Sequence, residues 1–271
     1  MYNLLLLYIR KIYISLQYQL KAKIMSSKNW IKIEQVEPLF RKGLSYQQIA
    51  NELGVKKQSI GFFCRRHFGK LEDRGKFVRN NASLTQIQKE IIFGSLLGDC
   101  NIHKHRNSYE GRVNHCIKQL SYAEYMRTSL GDICSDMRFV NKSLNSKIYQ
   151  QCSFDIKNNF ALKELYDLFY YKGRKDIPID LSLLTPRALA FWFMDDGSKS
   201  SKHSIEIATC SFSLNGLLRM QSFLEERYNI KSIIRKDFRL YICAESSSKF
   251  KNLVLPYIHK SMMYKLSNIR D

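Results

Sequence analysis

The chain has 271 residues, 45% of them hydrophobic, enough for one large domain or two modest ones and too many for wholesale disorder. Lys and Arg outnumber Asp and Glu by 44 to 24, and a formal charge of +20 points to a polyanionic partner. The seven cysteines are odd in number and form no C-x-x-C pair, which argues against a zinc site or a disulfide framework and for reduced thiols.

The start, "MYNLLLLYIRKIYISLQYQL", is apolar, but Arg10-Lys11 cuts the run far short of the ~20 residues a membrane span needs. No small-residue cleavage site follows it, so a secretory signal is not expected. Residues 1–27 read as a leader of unknown role, with Met25 as an alternative start.

Residues 28–69 read as three short helices. The first covers Ile33–Arg41. Ser45 can cap a second that runs to about Leu53, "LGV" makes a tight turn, and Lys57–His67 forms the third. Ile49, Ala50, Leu53, Val55 and Ile60 fall where a helix-turn-helix buries its small core. The third helix then presents Lys56, Lys57, Gln58, Ser59, Arg65 and Arg66, residue types that reach base edges and phosphates in a major groove. Residues 70–84 are polar without an apolar period and read as a linker.

The remainder, 85–271, uses one pattern twice, in halves of about 85–180 and 181–271. "TQIQKEIIFGSLLGDCN" is an apolar helix ending at Asp99, and "TPRALAFWFMDDGSKS" is another ending at Asp195-Asp196. Each is followed by an alternating strand, an amphipathic helix, two strands ("RFVNKS" with "KIYQQCSFDIK", "KSIIRK" with "RLYICAES") and a closing helix. The order read from the residues is α-β-α-β-β-α, repeated at the 97-residue spacing of Asp99 and Asp196.

Gly94 and Gly98 are four apart, so one helix face lets another backbone come close. If the partner is the corresponding helix of the second half, Asp99 and Asp196 converge. A carboxylate at a helix C-terminus is disfavoured by the helix dipole, and a divalent cation removes that penalty. Such a cation, on oxygen ligands, is what phosphodiester hydrolysis uses. Asp195 is expected at the helix end or behind the metal ligands, and His103 and His105 read as ordinary loop histidines. Arg112, Lys118, Lys147, Arg235, Lys236 and Arg239 lie on or beside strands and suit contacts with DNA.

"FGSLLGDC" and "LAFWFMDDG" resemble the two motifs of the single-chain LAGLIDADG homing endonucleases. Within that family, "WFMDDG", "KDIP" at Lys175–Pro178 and "MMYKL" at Met262–Leu266 are most similar to the I-SceI type. The resemblance implies an α+β fold: two pseudo-symmetric αββαββα-like halves forming a DNA-binding saddle, here preceded by a small all-α helix-turn-helix domain. It implies Asp99 and Asp196 as metal-binding acids, and Mg2+ as cofactor with Mn2+ as a substitute. It implies Lys175 and Lys265 as basic residues near the two scissile phosphates. The expected protein is a monomer that cuts a long, specific site in double-stranded DNA across the minor groove, with no membrane partner. Phe191 replaces the first glycine of the second motif and Cys100 the small residue closing the first.

Two other functions fit the same sequence. One is an RNA-splicing maturase on this fold, with host-intron RNA as partner. The other is a non-cleaving DNA-binding regulator, which would be free to lose the two acids. The expected location is an organelle or a phage or bacterial cytoplasm, without secretion.

Overall fold

The structure, a computed structural model, describes residues 31–70, 83–105, 108–144, 147–157, 159–201 and 204–267. The leader and most of the expected linker lie outside them. The chain divides into two compact units, Met1–Val78 and Arg79–Asp271. Among the described residues no helix is long and apolar enough to cross a membrane.

The first unit contains α1 (Ile33–Arg41), α2 (Tyr46–Glu52) and α3 (Lys57–His67). Ser45 accepts from the Gln48 amide while the Gln48 side chain takes the Ser45 N–H, so two orphan donors of α2 are satisfied at once. Gly54 turns the chain with φ of +63°. Val36, Phe40, Ile49, Ala50, Ile60, Cys64 and Phe68 form the core, with Leu53 and Val55 partly buried against it.

The second unit repeats αββαββα. The first half runs α4 (Gln86–Leu97), β1 (Cys100–His105), β2 (Ser108–Cys116), α5 (Leu120–Leu130), β3 (Arg138–Leu144), β4 (Lys147–Ile156) and α6 (Asn159–Phe169). A two-residue hairpin, β5 (Tyr170–Tyr171) and β6 (Arg174–Lys175), closes it. The second half runs α7 (Pro186–Asp196), β7 (Gly197–Ser201), β8 (Ser204–Ile207), α8 (Leu214–Tyr228), β9 (Ser232–Ile234), β10 (Leu240–Ile242) and α9 (Ala244–Val254), then a 3-10 segment over Lys260–Lys265.

The two sheets are antiparallel with matching orders, β1-β2-β4-β3 and β7-β8-β10-β9. Each motif helix leads directly into the first strand of its sheet, a strand that the residue-by-residue order lacks. "CNIHKH" and "GSKSS" carry little apolar alternation because they are edge strands with mostly exposed side chains. "RLYICAES" also divides: the strand stops at Ile242 and α9 begins at Ala244.

The helix faces of both sheets and helices α4 and α7 share one core, which includes Ile91, Phe93, Leu96, Val113, Phe154, Trp192, Phe193, Ile205 and Ile207. Both motif helices begin at a threonine cap, Thr85 and Thr185, and α7 has Pro186 in its first turn, where a missing N–H is harmless. They pack side by side. A Cβ built on Gly94 would lie 2.1 Å from the Ala188 carbonyl oxygen, and one on Gly98 would lie 2.5 Å from the Asp195 Cβ. Only glycine permits that approach. Arg187 of α7 also reaches Glu90 of α4 at 2.7 Å. Phe191 packs on the α5 ring of Tyr125, stacked at 5.9 Å between centroids.

Candidate metal centre

The close helix pair brings its acids together. Asp195 is buried: its Oδ1 accepts from the Tyr122 hydroxyl at 2.8 Å and its Oδ2 from the Asp99 amide at 3.2 Å. His115, inward-facing on β2, places Nδ1 3.2 Å from Asp99 Oδ2, and its side chain is wholly buried. The pair is close but off hydrogen-bond alignment, and Nε2 has no partner among the described residues. Asp99, His115 and Asp195 thus offer ligand atoms all within 4.8 Å of one another. Asp99 is the solvent-facing member, with a side chain 37% exposed.

Asp196 lies outside that triad but shares its field. Burial, then the Asp99 charge, pushes its carboxyl up to about 7, against the opposing pull of Lys175 and Lys265. Burial likewise pushes Asp195 up to about 7, with the Asp99 charge adding to it and His115 opposing. Burial lowers His115, but the Asp99 and Asp195 carboxylates outweigh it and leave its pKa raised.

The two lysines named from sequence occupy matching places. The β5–β6 turn has Lys172 and Gly173 at φ of +49° and +78°, the left-handed pair a two-residue hairpin requires. Tyr170 of that hairpin accepts from the Ile102 amide of β1 at 2.8 Å, which pins it to the sheet. Lys175 Nζ is thereby aimed at the Gly98 and Cys100 carbonyls, at 3.2 and 3.0 Å. In the second half, Lys265 Nζ donates to the Met194 and Asp195 carbonyls. Each ammonium donates to carbonyls where a motif helix ends, Gly98 at the C-cap of α4 and Met194 and Asp195 in the last turn of α7, and Lys175 also donates to the Cys100 carbonyl that opens β1. Burial lowers both lysine pKa values, with the aspartate charges acting against it.

The donor set fits a divalent cation. Carboxylates crowd together here, and the lysine hydrogen bonds go to main-chain carbonyls rather than to those carboxylates. The raised groups set a pH dependence. A carboxylate or histidine with a folded pKa above its unfolded value stabilises the fold below the unfolded value and loses that contribution as pH rises through the folded one. Asp195, Asp196 and His115 all act in this direction. In chelator, the Arg79–Asp271 unit is therefore expected to lose on the order of 3 kcal/mol between pH 5 and pH 8. Divalent metal should restore more stability at pH 8 than at pH 5. Melting curves at the two pH values, with and without metal, check this, and a melting temperature that rises with pH in chelator would contradict it.

The other basic residues named from sequence lie apart from this centre. Arg112 stands on the open face of the first sheet, and Arg235 and Arg239 flank the exposed turn of Lys236 between β9 and β10. Lys147 opens β4, and Lys118 is exposed beside β2, in the 3-10 turn that follows it. Lys56, Lys57, Gln58, Ser59, Arg65 and Arg66 are all exposed at α3. His103 and His105 are exposed and lie on β1, not in a loop. Sequence reasoning passed over His115 and Tyr122, and it placed Asp195 at the helix end or behind the metal ligands without naming the Asp99 amide and the Tyr122 hydroxyl as its partners. The available signal for His115 was its place in "GRVNHC", two residues after Val113 on the inward side of an alternating strand.

The family described as LAGLIDADG DNA endonuclease matches residues 89–250, more than half of the chain. The chain is 31% identical over 211 residues to DNA endonuclease I-ChuI of Chlamydomonas applanata, covering 69% of this chain and 97% of that protein. It is 30% identical over 210 residues to the cytochrome b mRNA maturase bI2 of Debaryomyces hansenii, covering 72% of this chain and 79% of that protein. Among solved structures, the homing endonuclease I-WcaI bound to its DNA recognition sequence superposes with a TM-score of 0.65 at 25% identity, covering 73% of this chain and 92% of that one.

Proposed function

The chain belongs to the LAGLIDADG DNA endonuclease family, and on that premise we propose that it is a site-specific homing endonuclease of the double-motif type similar to I-SceI. It hydrolyses both strands of double-stranded DNA with Mg2+, Mn2+ serving as a substitute. The observation that carries this is the meeting of Asp99 and Asp195 at the paired ends of α4 and α7, with Asp196 in the field of the Asp99 charge and a lysine ammonium set beside each end.

Asp99 and Asp196 would hold the ion, with Asp195 and His115 behind Asp99. Bound there, Mg2+ would lower the pKa of an attacking water and offset charge at the phosphodiester. The protein's own part is to fix these groups. The Tyr122 hydroxyl holds Asp195, and Asp195 in turn takes the Asp99 amide. His115 sits against the Asp99 carboxylate. Lys175 and Lys265, anchored on carbonyls, are near enough to the acids to position water or to offset charge in either half. The open sheet faces supply the DNA saddle, and the chain acts as a monomer because one chain carries both halves.

Residues 28–69 act as a helix-turn-helix that extends the DNA footprint through α3. Replacing Lys57, Arg65 and Arg66 together by alanine is expected to weaken binding and to reduce the salt slope of log affinity by about three. Cleavage at saturating protein should be unchanged. Titrations at several salt concentrations check this, and an unchanged slope would remove α3 from the interface.

An RNA-splicing maturase is the second reading, favoured by the similarity to a protein named for that activity. The test offers the purified chain two substrates, the uninterrupted flanking duplex and a precursor RNA carrying the host intron. Breakage of the duplex with no effect on splicing is expected. Accelerated splicing with an intact duplex would move the assignment to the maturase. The expected location is an organelle.

A further inference from the structure

Each sheet carries, on its open face, one buried acid gripping two arginines. In the first sheet the Asp155 side chain is 2% exposed. Arg112 Nε donates to its Oδ1 at 3.0 Å, and Arg138 Nη1 donates to its Oδ2. In the second sheet Glu206 takes Arg239 Nη1 on Oε1 at 2.8 Å and Arg235 Nη1 on Oε2 at 3.1 Å, with its own side chain 11% exposed. Arg235 also lies over the Tyr241 ring at 4.4 Å, and Arg239 Nε approaches Asp237 at 3.3 Å. All four arginine side chains remain between 41% and 47% exposed. The acids are sealed, and part of each guanidinium stays accessible.

The two clamps are not copies. Cys100 follows Asp99 and pairs with Val113, while Gly197 follows Asp196 and pairs with Ile207. Arg112 and Glu206, the residues just before those partners, therefore hold corresponding positions. Asp155 pairs with Arg112 and Tyr241 with Glu206, so they correspond too. The acid sits on opposite members of the central strand pair in the two halves. The same device at the same level of each sheet is built from different positions, so simple duplication does not account for it.

Charge decides what the clamps suit. A carboxylate beside an arginine weakens its attraction for phosphate, and this chain, at +20, does not lack positive charge. A neutral base edge tolerates the carboxylate and gains from a guanidinium already held in place, because its ordering cost has been met within the folded protein. Burial would raise the Asp155 carboxyl, but the Arg138 and Arg112 hydrogen bonds outweigh it, so the grip is ionic.

We propose that Asp155 and Glu206 are positioning residues for base reading, each fixing a pair of arginines so that one guanidinium reads the major-groove edge of a guanine in its half of the target. The inference rests on the sheets being the DNA-facing surface of the endonuclease. Arginine matches the O6 and N7 acceptors of guanine with two parallel donors, which gives about tenfold discrimination or more.

The test is binding selection in Ca2+ from a library randomised about the uninterrupted flanking site. The wild-type chain, Asp155→Asn, Glu206→Gln, Arg112→Lys and Arg239→Lys are compared, and melting curves confirm each fold. A guanine preference in each half is expected for the wild type. It should fall about tenfold in the first half alone for Asp155→Asn and Arg112→Lys, and in the second half alone for Glu206→Gln and Arg239→Lys. Affinity for random DNA should hold or rise for the two acid variants. A preference that survives all four variants overturns the clamps, as does a rise in affinity on every sequence with an unchanged profile. A wild-type chain with no base preference anywhere would sink the DNA reading and the clamps together.

Discussion

Asp196→Asn is expected to abolish DNA cleavage, by at least about a thousandfold, the scale of losing a preorganised charge at a reacting centre. Affinity for the same duplex in Ca2+ should stay within about threefold of wild type, because removing one negative charge does not weaken attraction for a polyanion. The fold should tolerate the change. Burial and the Asp99 charge already push the Asp196 carboxyl up to about 7, so a neutral side chain there relieves repulsion. Melting temperature in chelator at pH 8 is therefore expected to hold or rise. Single-turnover cleavage, binding and melting together distinguish a catalytic acid from a structural one. Collapse of binding together with cleavage would make Asp196 structural.

Gly94→Val should unfold or severely weaken the Arg79–Asp271 unit, with a loss of about 3 kcal/mol or more. Even a single Cβ there would stand 2.1 Å from the Ala188 carbonyl oxygen, which is backbone and has no rotamer to give way. The two motif helices would have to separate, and the acids with them. Gly131→Ala makes the contrast. Its φ of +69° with ψ of −139° is backbone that glycine alone adopts readily, but nothing lies within 4 Å of an added Cβ, so the loss is local backbone strain on the order of 2 kcal/mol, with the helix pair left in contact. Chemical denaturation of both variants measures the difference. Equal midpoints would show that α4 and α7 leave room for a side chain at Gly94.

The repeat and its acids were legible because they leave strong local marks. Two apolar helices end in aspartates, and two glycines four apart announce a close neighbour. Lys175 and Lys265 came only from motif resemblance, since nothing local predicts that a β-hairpin and a 3-10 turn aim them at helix-end carbonyls. His115 and Tyr122 were missed because their roles depend on distant partners: Tyr122 and Asp195 are far apart in the chain and meet only through the helix pair. The acid clamps were half visible. Arg112, Arg235 and Arg239 were named as basic residues, but Asp155 and Glu206 looked like ordinary polar positions until strand register placed them beneath those arginines. The edge strands β1 and β7 carry no clear alternation, so the residues alone gave one strand too few in each half.

The most direct trial of the function uses a plasmid carrying the uninterrupted flanking sequence, incubated with the purified chain in Mg2+, in Ca2+ and in chelator. Linearisation in Mg2+ alone is expected, at one site, with short 3′ overhangs and a break in each strand. Tight, specific binding with no strand broken in Mg2+ would contradict a metal-dependent endonuclease built on Asp99 and Asp196.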